Sequence, residues 1–250
     1  MKALRDTFIL LGRSMKHILR SPDTIITVAV MPIAFMLLFV YVFGGAIHTG
    51  PGSYVNYMLP GILAISIASG VSYTAFRLFM DMQKGILARF NSMPLNRSSI
   101  LWSHVLTSLV SNSISLAIII GVALLVGFRS SAGVLEWLAV IGILLLFMLA
   151  LTWLAIIPGL KAKTIDGASA FSYPLILLPF ISSAFVPTET MSTPVRLFAE
   201  NQPVTAIVNA LRSLLEGNGA ANDIWVALAW CVGLTIIAYF FATRIYKRLA

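Results

Sequence analysis

Charged residues are what this sequence has least of. Only 10% of its 250 residues are Asp, Glu, Lys or Arg, and 59% are hydrophobic. Soluble domains carry roughly 25% charged residues. A chain with so few charges lacks the polar surface that a soluble protein needs. The composition therefore indicates an integral membrane protein.

The sequence has only one cysteine, and it lacks the common nucleotide-binding and catalytic motifs. The single cysteine, Cys231, lies in an apolar run and cannot form an internal disulfide or a metal cluster. The sequence contains no Gly-rich phosphate loop ending in Lys-Ser or Lys-Thr, no His-Glu zinc motif and no G-x-S-x-G. We therefore expect no cofactor, no metal and no enzymatic activity in this chain.

The net charge of +8 comes from 17 Lys and Arg residues. They are scattered between apolar runs, and this distribution is typical of membrane orientation, so nucleic-acid binding is disfavoured. Fourteen of them fall in the N-terminal segment, the second and fourth loops and the C-terminal tail. These segments are expected on one side of the membrane. The opposite side would then have only three: Arg129, Arg196 and Arg212. The positive-inside rule thus predicts that both termini are cytoplasmic in a multi-pass protein of a bacterial cytoplasmic membrane.

Six apolar runs are long enough for a bilayer, which needs about 20 residues per helix. We place them at 24–45, 55–76, 99–127, 135–157, 168–186 and 223–243. The predicted fold class is an all-α membrane protein of six transmembrane helices, forming a single domain over residues 1–250.

An amphipathic helix is predicted at residues 4–20, before the first run. Arg13, Lys16 and Arg20 share its basic face, opposite an apolar stripe. Such a helix suits the cytoplasmic surface of a membrane that contains anionic lipid.

The stretch from Arg77 to Ser99 interrupts the apolar sequence of the first half of the chain. Residues 24–76 and 98–128 on either side contain no charged residue. We expect 77–99 to lie in the cytoplasm as a helix with its own apolar stripe (Phe79, Met82, Ile86, Phe90 and Met93). An apolar stripe in water needs a partner surface. The alternative is that this helix lies on the membrane or on the chain's own loops.

The fifth run contains Pro174 and Pro179, and Pro187 follows it. Proline removes a helical hydrogen bond, and broken backbone is tolerated in a membrane where protein or a cavity surrounds it. Residues 187–222 are predicted to be extracytoplasmic and helical. A short helix should begin at Pro203 and end before Gly217, and it should re-enter the outer leaflet or cap the bundle.

Aromatic side chains are frequent in the first two runs and suit a path for a large apolar or amphipathic compound. Packing is the alternative at each single position. The candidates for such a path, with the two prolines of the fifth run, are Phe35, Phe39, Tyr57, Tyr73, Pro174 and Pro179.

Two stretches resemble the permease subunits of ABC-2 type exporters, particularly the daunorubicin-resistance-like drug exporters. One is GILARFNSMPLNRS at 85–98, and the other is FAENQPVT at 198–205, continuing to Arg212. The six-run plan, the N-terminal helix and the helices after the fifth run also match. Lys84 departs from the resemblance, because the family often has an acidic residue just before the glycine.

The resemblance implies a permease that exports a drug-like, lipid or secondary-metabolite cargo. It also implies a homodimer with a second permease copy, and two copies of a separate ABC ATPase that carry the ATP and magnesium. The implied ATPase-coupling residues are Met82, Ile86, Arg89, Phe90, Met93 and Pro94. Two other classes stay open: an energy-independent or ion-coupled carrier or channel, and a membrane anchoring protein. The near absence of charge within the runs disfavours ion coupling.

Overall fold

The computed structural model describes residues 23–44, 53–86, 97–217 and 221–249, together with Gly12. Every regular element in these ranges is helical. Apart from Gly12, the predicted N-terminal helix at 4–20, with Arg13, Lys16 and Arg20, lies outside the described residues. The same holds for residues 87–96, which include Arg89, Phe90, Met93 and Pro94.

Nine α-helices are found in the described ranges. They are α1 (Asp23–Leu38), α2 (Tyr54–Gln83), α3 (Arg97–Val126), α4 (Val134–Lys161), α5 (Ile165–Ser169), α6 (Ser172–Leu177), α7 (Thr193–Asn201), α8 (Pro203–Leu215) and α9 (Ala221–Leu249). A π-helical turn, Phe39–Phe43, continues α1, and 3-10 helices occur at Leu178–Ile181 and Thr188–Thr190.

Four helices of the described chain are long and apolar enough to cross a membrane. They are Tyr54–Gln83, Ser99–Val126, Val134–Lys161 and Asn222–Arg248, and they match the second, third, fourth and sixth predicted runs. The first and fifth runs correspond to the shorter apolar helices Ala29–Phe43 and Ile165–Ile181. The described part of the chain is therefore all-helical, the protein is multi-pass, and the count of six crossings stays a prediction.

The predicted boundary at Arg77 is not a helix end. Helix α2 continues without a break to Gln83. Phe79 is buried within the subunit, and Met82 packs on the buried core. The prediction of an apolar stripe free in water is therefore wrong at Phe79. A charge in a sequence marks where a helix meets polar surroundings, and the helix itself can continue past that point.

The fifth run is interrupted, as the prolines predicted, but the first break precedes them. Helix α5 ends at Ser169, and a turn at Ala170 and Phe171 leads into α6. Pro174 is the third residue of α6, where the first-turn amides have no helical partner anyway. Pro179 lies in the 3-10 helix. Each proline thus stands near the start of a short helix.

The short helix after the fifth run was predicted correctly. Helix α8 begins at Pro203, ends at Leu215 and is followed by Gly217. Gly217 has a φ of +72°, a left-handed conformation that favours glycine. Helix α7 lies within the segment 187–222 that was predicted to be helical, but its bounds were not predicted.

Helices α2 and α9 differ in how much of their surface is buried. In the most apolar stretch of α2, 72% of the residues are buried, against 17% in α9. The exposed face of α9 carries large apolar side chains such as Trp225, Trp230, Phe240 and Phe241. Helix α2 therefore forms the centre of the bundle, and α9 presents an apolar surface on its outside.

Candidate functional site

Aromatic rings join the first helix to the interrupted fifth segment. The Phe39 ring stacks on Phe185 at 4.8 Å between centroids, and Phe180 stacks on Phe185 at 5.1 Å. Phe35 meets Phe180 edge to face at 5.8 Å. Phe35 and Phe39 are four residues apart and therefore lie on one face of the helix. The structure thus brings these two predicted residues together with two rings that the sequence did not single out.

The second pair of rings, Phe180 and Phe185, lies on a 3-10 helix and the turn that follows it. Phe180 belongs to the 3-10 helix, and Phe185 follows in the turn after it. Pro179 is buried beside them. Ser182 stabilises this turn, because its hydroxyl donates to Pro179 O at 2.6 Å and accepts from Ala184 N at 3.1 Å. We call residues 178–185 the interruption.

Side chains from α2 and from the N-cap of α8 pair with backbone carbonyls of the interruption. Gln202, the residue before α8, donates from Nε2 to Ile181 O and to Leu178 O, the latter at 3.2 Å. Tyr54, in the first turn of α2, donates its hydroxyl to Phe185 O at 3.2 Å. The interruption is therefore held by side chains that are distant in sequence.

Arg212 of α8 occupies a half-buried position where three elements meet. Its Nη2 lies 2.7 Å from Ser183 O and 3.1 Å from Tyr57 O, and its Nη1 lies 3.1 Å from Asn209 Oδ1. The guanidinium carbon stands 3.8 Å from the centroid of the Tyr57 ring, a cation–π distance. Tyr57, a predicted path residue, thus forms part of this contact.

A second arginine, Arg196 of α7, is exposed, whereas Arg212 is half-buried. Arg196 Nε lies 2.6 Å from Glu200 Oε1 on the same helix, α7. This hydrogen bond raises the pKa of Arg196. Such an exposed pair contributes little to stability. It provides a natural control for Arg212.

Tyr73 lies apart from the aromatic cluster. With Ser72, Phe76 and Ser169 it lines a crevice of about 270 Å³ between α2 and α5. Pro174 is exposed on α6. The predicted path residues therefore divide into the cluster around Phe39, the Arg212 contact at Tyr57, the Tyr73 crevice and an exposed proline.

The other end of α2 leads into the predicted coupling segment. Met82 is partly buried and Ile86 is half-exposed, while Lys84 is exposed. Asp81 Oδ2 lies 3.5 Å from His104 Nε2 of α3. The helices on either side of residues 87–96 are therefore in direct polar contact.

A buried hydroxyl cluster inside the bundle was missed by sequence reasoning. Ser108 Oγ lies 2.7 Å from Thr74 Oγ1, 3.3 Å from Asn112 Nδ2 and 3.5 Å from Thr152 Oγ1. These side chains join α2, α3 and α4, as small polar residues often do between membrane helices. The signal was visible in α3, where Ser99, Ser103, Thr107, Ser111 and Ser115 recur every four positions, and where Ser108 and Asn112 are spaced in the same way.

The described residues contain no group of His, Cys, Asp and Glu arranged to hold a metal ion. They contain a helical bundle with an interrupted apolar segment, an aromatic cluster and polar contacts at both ends. With four helices long and apolar enough to cross a membrane, this architecture is that of a multi-pass membrane protein. The sequence profile of the ABC-2 type transporter family matches residues 5–215, and the chain belongs to that family.

Similar proteins support the same class over nearly the whole chain. The daunorubicin resistance ABC transporter permease protein DrrB1 of Streptomyces coeruleorubidus is 28% identical over 98% of this chain and 87% of its own length. The probable doxorubicin resistance permease DrrC of Mycobacterium tuberculosis H37Rv is 23% identical over 93% of this chain and 84% of its own. The putative transport permease ycf38 of Cyanophora paradoxa is 26% identical over 84% and 74%, respectively.

Proposed function

We propose that this permease subunit exports an amphipathic or hydrophobic compound from the cytoplasm, driven by ATP hydrolysis on a separate ABC ATPase. The observation that carries the proposal is the family match over residues 5–215. Two similar proteins are permeases of daunorubicin and doxorubicin resistance, and both align with more than nine-tenths of this chain. A drug-like, lipid or secondary-metabolite cargo follows from that similarity.

The ATPase partner would dock on the segment between α2 and α3. Its predicted contacts are Met82, Ile86, Arg89, Phe90, Met93 and Pro94. The exposure of Lys84 and the partial exposure of Ile86 support an accessible surface where this segment begins. ATP and magnesium would be held by two ATPase copies, one for each permease of a homodimer.

The cargo path would follow the interrupted fifth segment. Aromatic rings offer broad, apolar contact to an amphipathic compound, and interrupted backbone in a membrane is expected beside a cavity or protein. Phe35, Phe39, Tyr57 and Pro179 lie on or near this segment, which supports their place on the path. Tyr73 would contact cargo separately, in its crevice.

The proposed location is the bacterial cytoplasmic membrane, with both termini in the cytoplasm and residues 4–20 against anionic lipid. The excess of Lys and Arg in the loops assigned to the inside supports this orientation. The apolar outer faces of α1 and α9 suit lipid or the second permease copy.

Reconstitution tests the function directly. The permease is purified with a candidate ABC ATPase from the same organism and placed in liposomes, with ATP supplied on the side that the ATPase faces. We expect ATP-dependent movement of a fluorescent anthracycline, and no movement with an ATPase that cannot hydrolyse ATP. Equal transport with both ATPases would favour an energy-independent carrier.

A further inference from the structure

Three backbone carbonyls of the interruption accept hydrogen bonds from side chains that are distant in sequence. In a membrane such groups must find partners within the protein. Gln202 donates to two of them, Leu178 O and Ile181 O, and Arg212 donates to a third, Ser183 O. Both residues belong to α8 or its N-cap, so one helix holds the interruption at three points.

Helix α8 is anchored at its other end. Ser130 Oγ donates to Leu215 O at 2.8 Å, and Ser131 Oγ donates to Glu216 O at 2.6 Å. These serines lie in the turn between α3 and α4. The outer helix therefore joins a turn between two long helices to the segment that carries Phe180 and Phe185.

The bonds of Gln202 come from one side of its amide group. Its Nε2 makes both contacts to the interruption, whereas its Oε1 is buried without a partner among the described residues. Gln202→Met keeps the approximate size of the side chain but has no N–H donors, so it removes both hydrogen bonds to the interruption.

We propose that Gln202 and Arg212 are positioning residues that hold the interruption against α8. They keep Phe180 and Phe185 packed on Phe39 and so keep the outer end of the subunit closed at rest. The consequence for transport rests on the proposed function, whereas the local closure can be measured without ATPase or cargo.

A cysteine reporter at Ser182 measures this closure. Ser182 is 1% exposed. Because a thiol forms weaker hydrogen bonds to Pro179 O and from Ala184 N than the hydroxyl does, every variant is compared with a parent that carries the same Ser182→Cys change. In a Cys231→Ser background, the purified protein in detergent is treated with a bulky charged maleimide. We expect Gln202→Met and Arg212→Met to speed labelling about tenfold or more, as losing a buried hydrogen-bond partner shifts an opening equilibrium by that factor. Arg212→Lys keeps the charge and should give a smaller increase.

Arg196→Met is the matched control. It also replaces an arginine by methionine, on the neighbouring helix α7, but it breaks only the exposed pair with Glu200. It should label at the parent rate. Native Cys231, which is fully buried on α9, reports global unfolding in versions without the Ser182→Cys change. It should stay unlabelled in all variants.

If Cys231 reacts in a methionine variant, that variant has unfolded and its labelling rate says nothing about the closure. The labelling rate of the Arg212→Lys variant then tests the proposal instead. Faster labelling of its Ser182→Cys reporter than in Arg196→Met supports the proposal. Equal labelling in Arg212→Lys overturns it, as does equal labelling in folded methionine variants. A negative result here leaves the transport assay, and thus the proposed function, unaffected.

Discussion

His104 Nε2 lies 3.5 Å from Asp81 Oδ2 and joins α3 to α2 on either side of the predicted coupling segment. The side chains are 11% and 29% exposed, so the contact is partly shielded from water. A movement of the segment between them would act on both helices through this contact. It is therefore a structural link between the proposed ATPase surface and the membrane bundle.

The energy of this link can be measured with a double-mutant cycle. Asp81→Asn and His104→Gln are compared with the double variant in thermal unfolding of the purified permease. Because the pair is only partly buried, we expect a coupling energy of about 0.5–1 kcal/mol. Strictly additive effects would show that the contact contributes nothing.

Gly70 allows α2 and α3 to approach closely at the buried hydroxyl cluster. A Cβ at Gly70 would lie 1.9 Å from Asn112 Oδ1, and Asn112 could move away only by losing its bond to Ser108. Gly70→Ala should therefore destabilise the protein by about 1–3 kcal/mol, the usual cost of overpacking. Thermal unfolding in detergent measures the loss.

Gly142→Ala is the control for Gly70, since a Cβ at Gly142 in α4 meets no atom within 4 Å. It should be neutral or stabilising by about 0.5–1 kcal/mol, because alanine favours a helix over glycine. Adding Asn112→Ala to Gly70→Ala should recover part of the stability. No recovery would place the strain elsewhere.

The two prolines of the fifth segment should differ in importance. Pro174 is exposed near the start of α6, so Pro174→Ala should change export little. Pro179 is buried in the 3-10 helix, and Pro179→Ala restores an amide that would allow α6 to continue through Phe180. We expect that variant to insert normally but to export less. Equal export by both variants would reduce Pro179 to a packing residue.

Topology is tested by labelling exposed single cysteines in intact cells, in a Cys231→Ser background. Lys84→Cys and Lys163→Cys should be shielded from an impermeant reagent, whereas Glu189→Cys and Ser192→Cys should react. All four positions are exposed on the subunit, so burial does not explain a difference. The six-crossing arrangement is wrong if Lys84→Cys and Ser192→Cys react alike.

Apolar run length predicted four long helices, because a bilayer sets both composition and length. Helix α8 was predicted in detail, since Pro203 and Gly217 act locally on the backbone. The end of α2 was predicted too early. Arg77 is half-buried, and its Nε donates to Tyr73 O one turn back in α2, so the charge does not end the helix, which continues to Gln83.

Contacts between distant residues could not be predicted from one sequence. Tyr57 and Arg212 are 155 positions apart, and only the packing of α8 on α2 joins them. The same holds for Phe39 and Phe180. The π-helical turn at Phe39–Phe43 also has no local signal, because apolar residues surround it on every side. Local chemistry thus predicted elements, and three-dimensional packing decided which residues share a site.

We propose that an ATPase docks on the segment between α2 and α3, with Phe90 as its anchor. Truncating an aromatic anchor at an interface commonly costs about 2 kcal/mol or more, which is roughly a 30-fold loss of affinity. Arg89→Ala should weaken binding only mildly, because a charge at the rim mainly affects association rate and salt dependence. The pair of variants therefore separates the anchor from the rim.

The most direct measurement is co-purification of the ATPase with Phe90→Ala, Arg89→Ala and the parent permease, read together with cargo-stimulated ATP hydrolysis. We expect Phe90→Ala to be inserted and folded, to lose the ATPase and to lose cargo stimulation, while Arg89→Ala keeps most of both. A Phe90→Ala permease that retains its ATPase and exports at the parent rate would contradict the account.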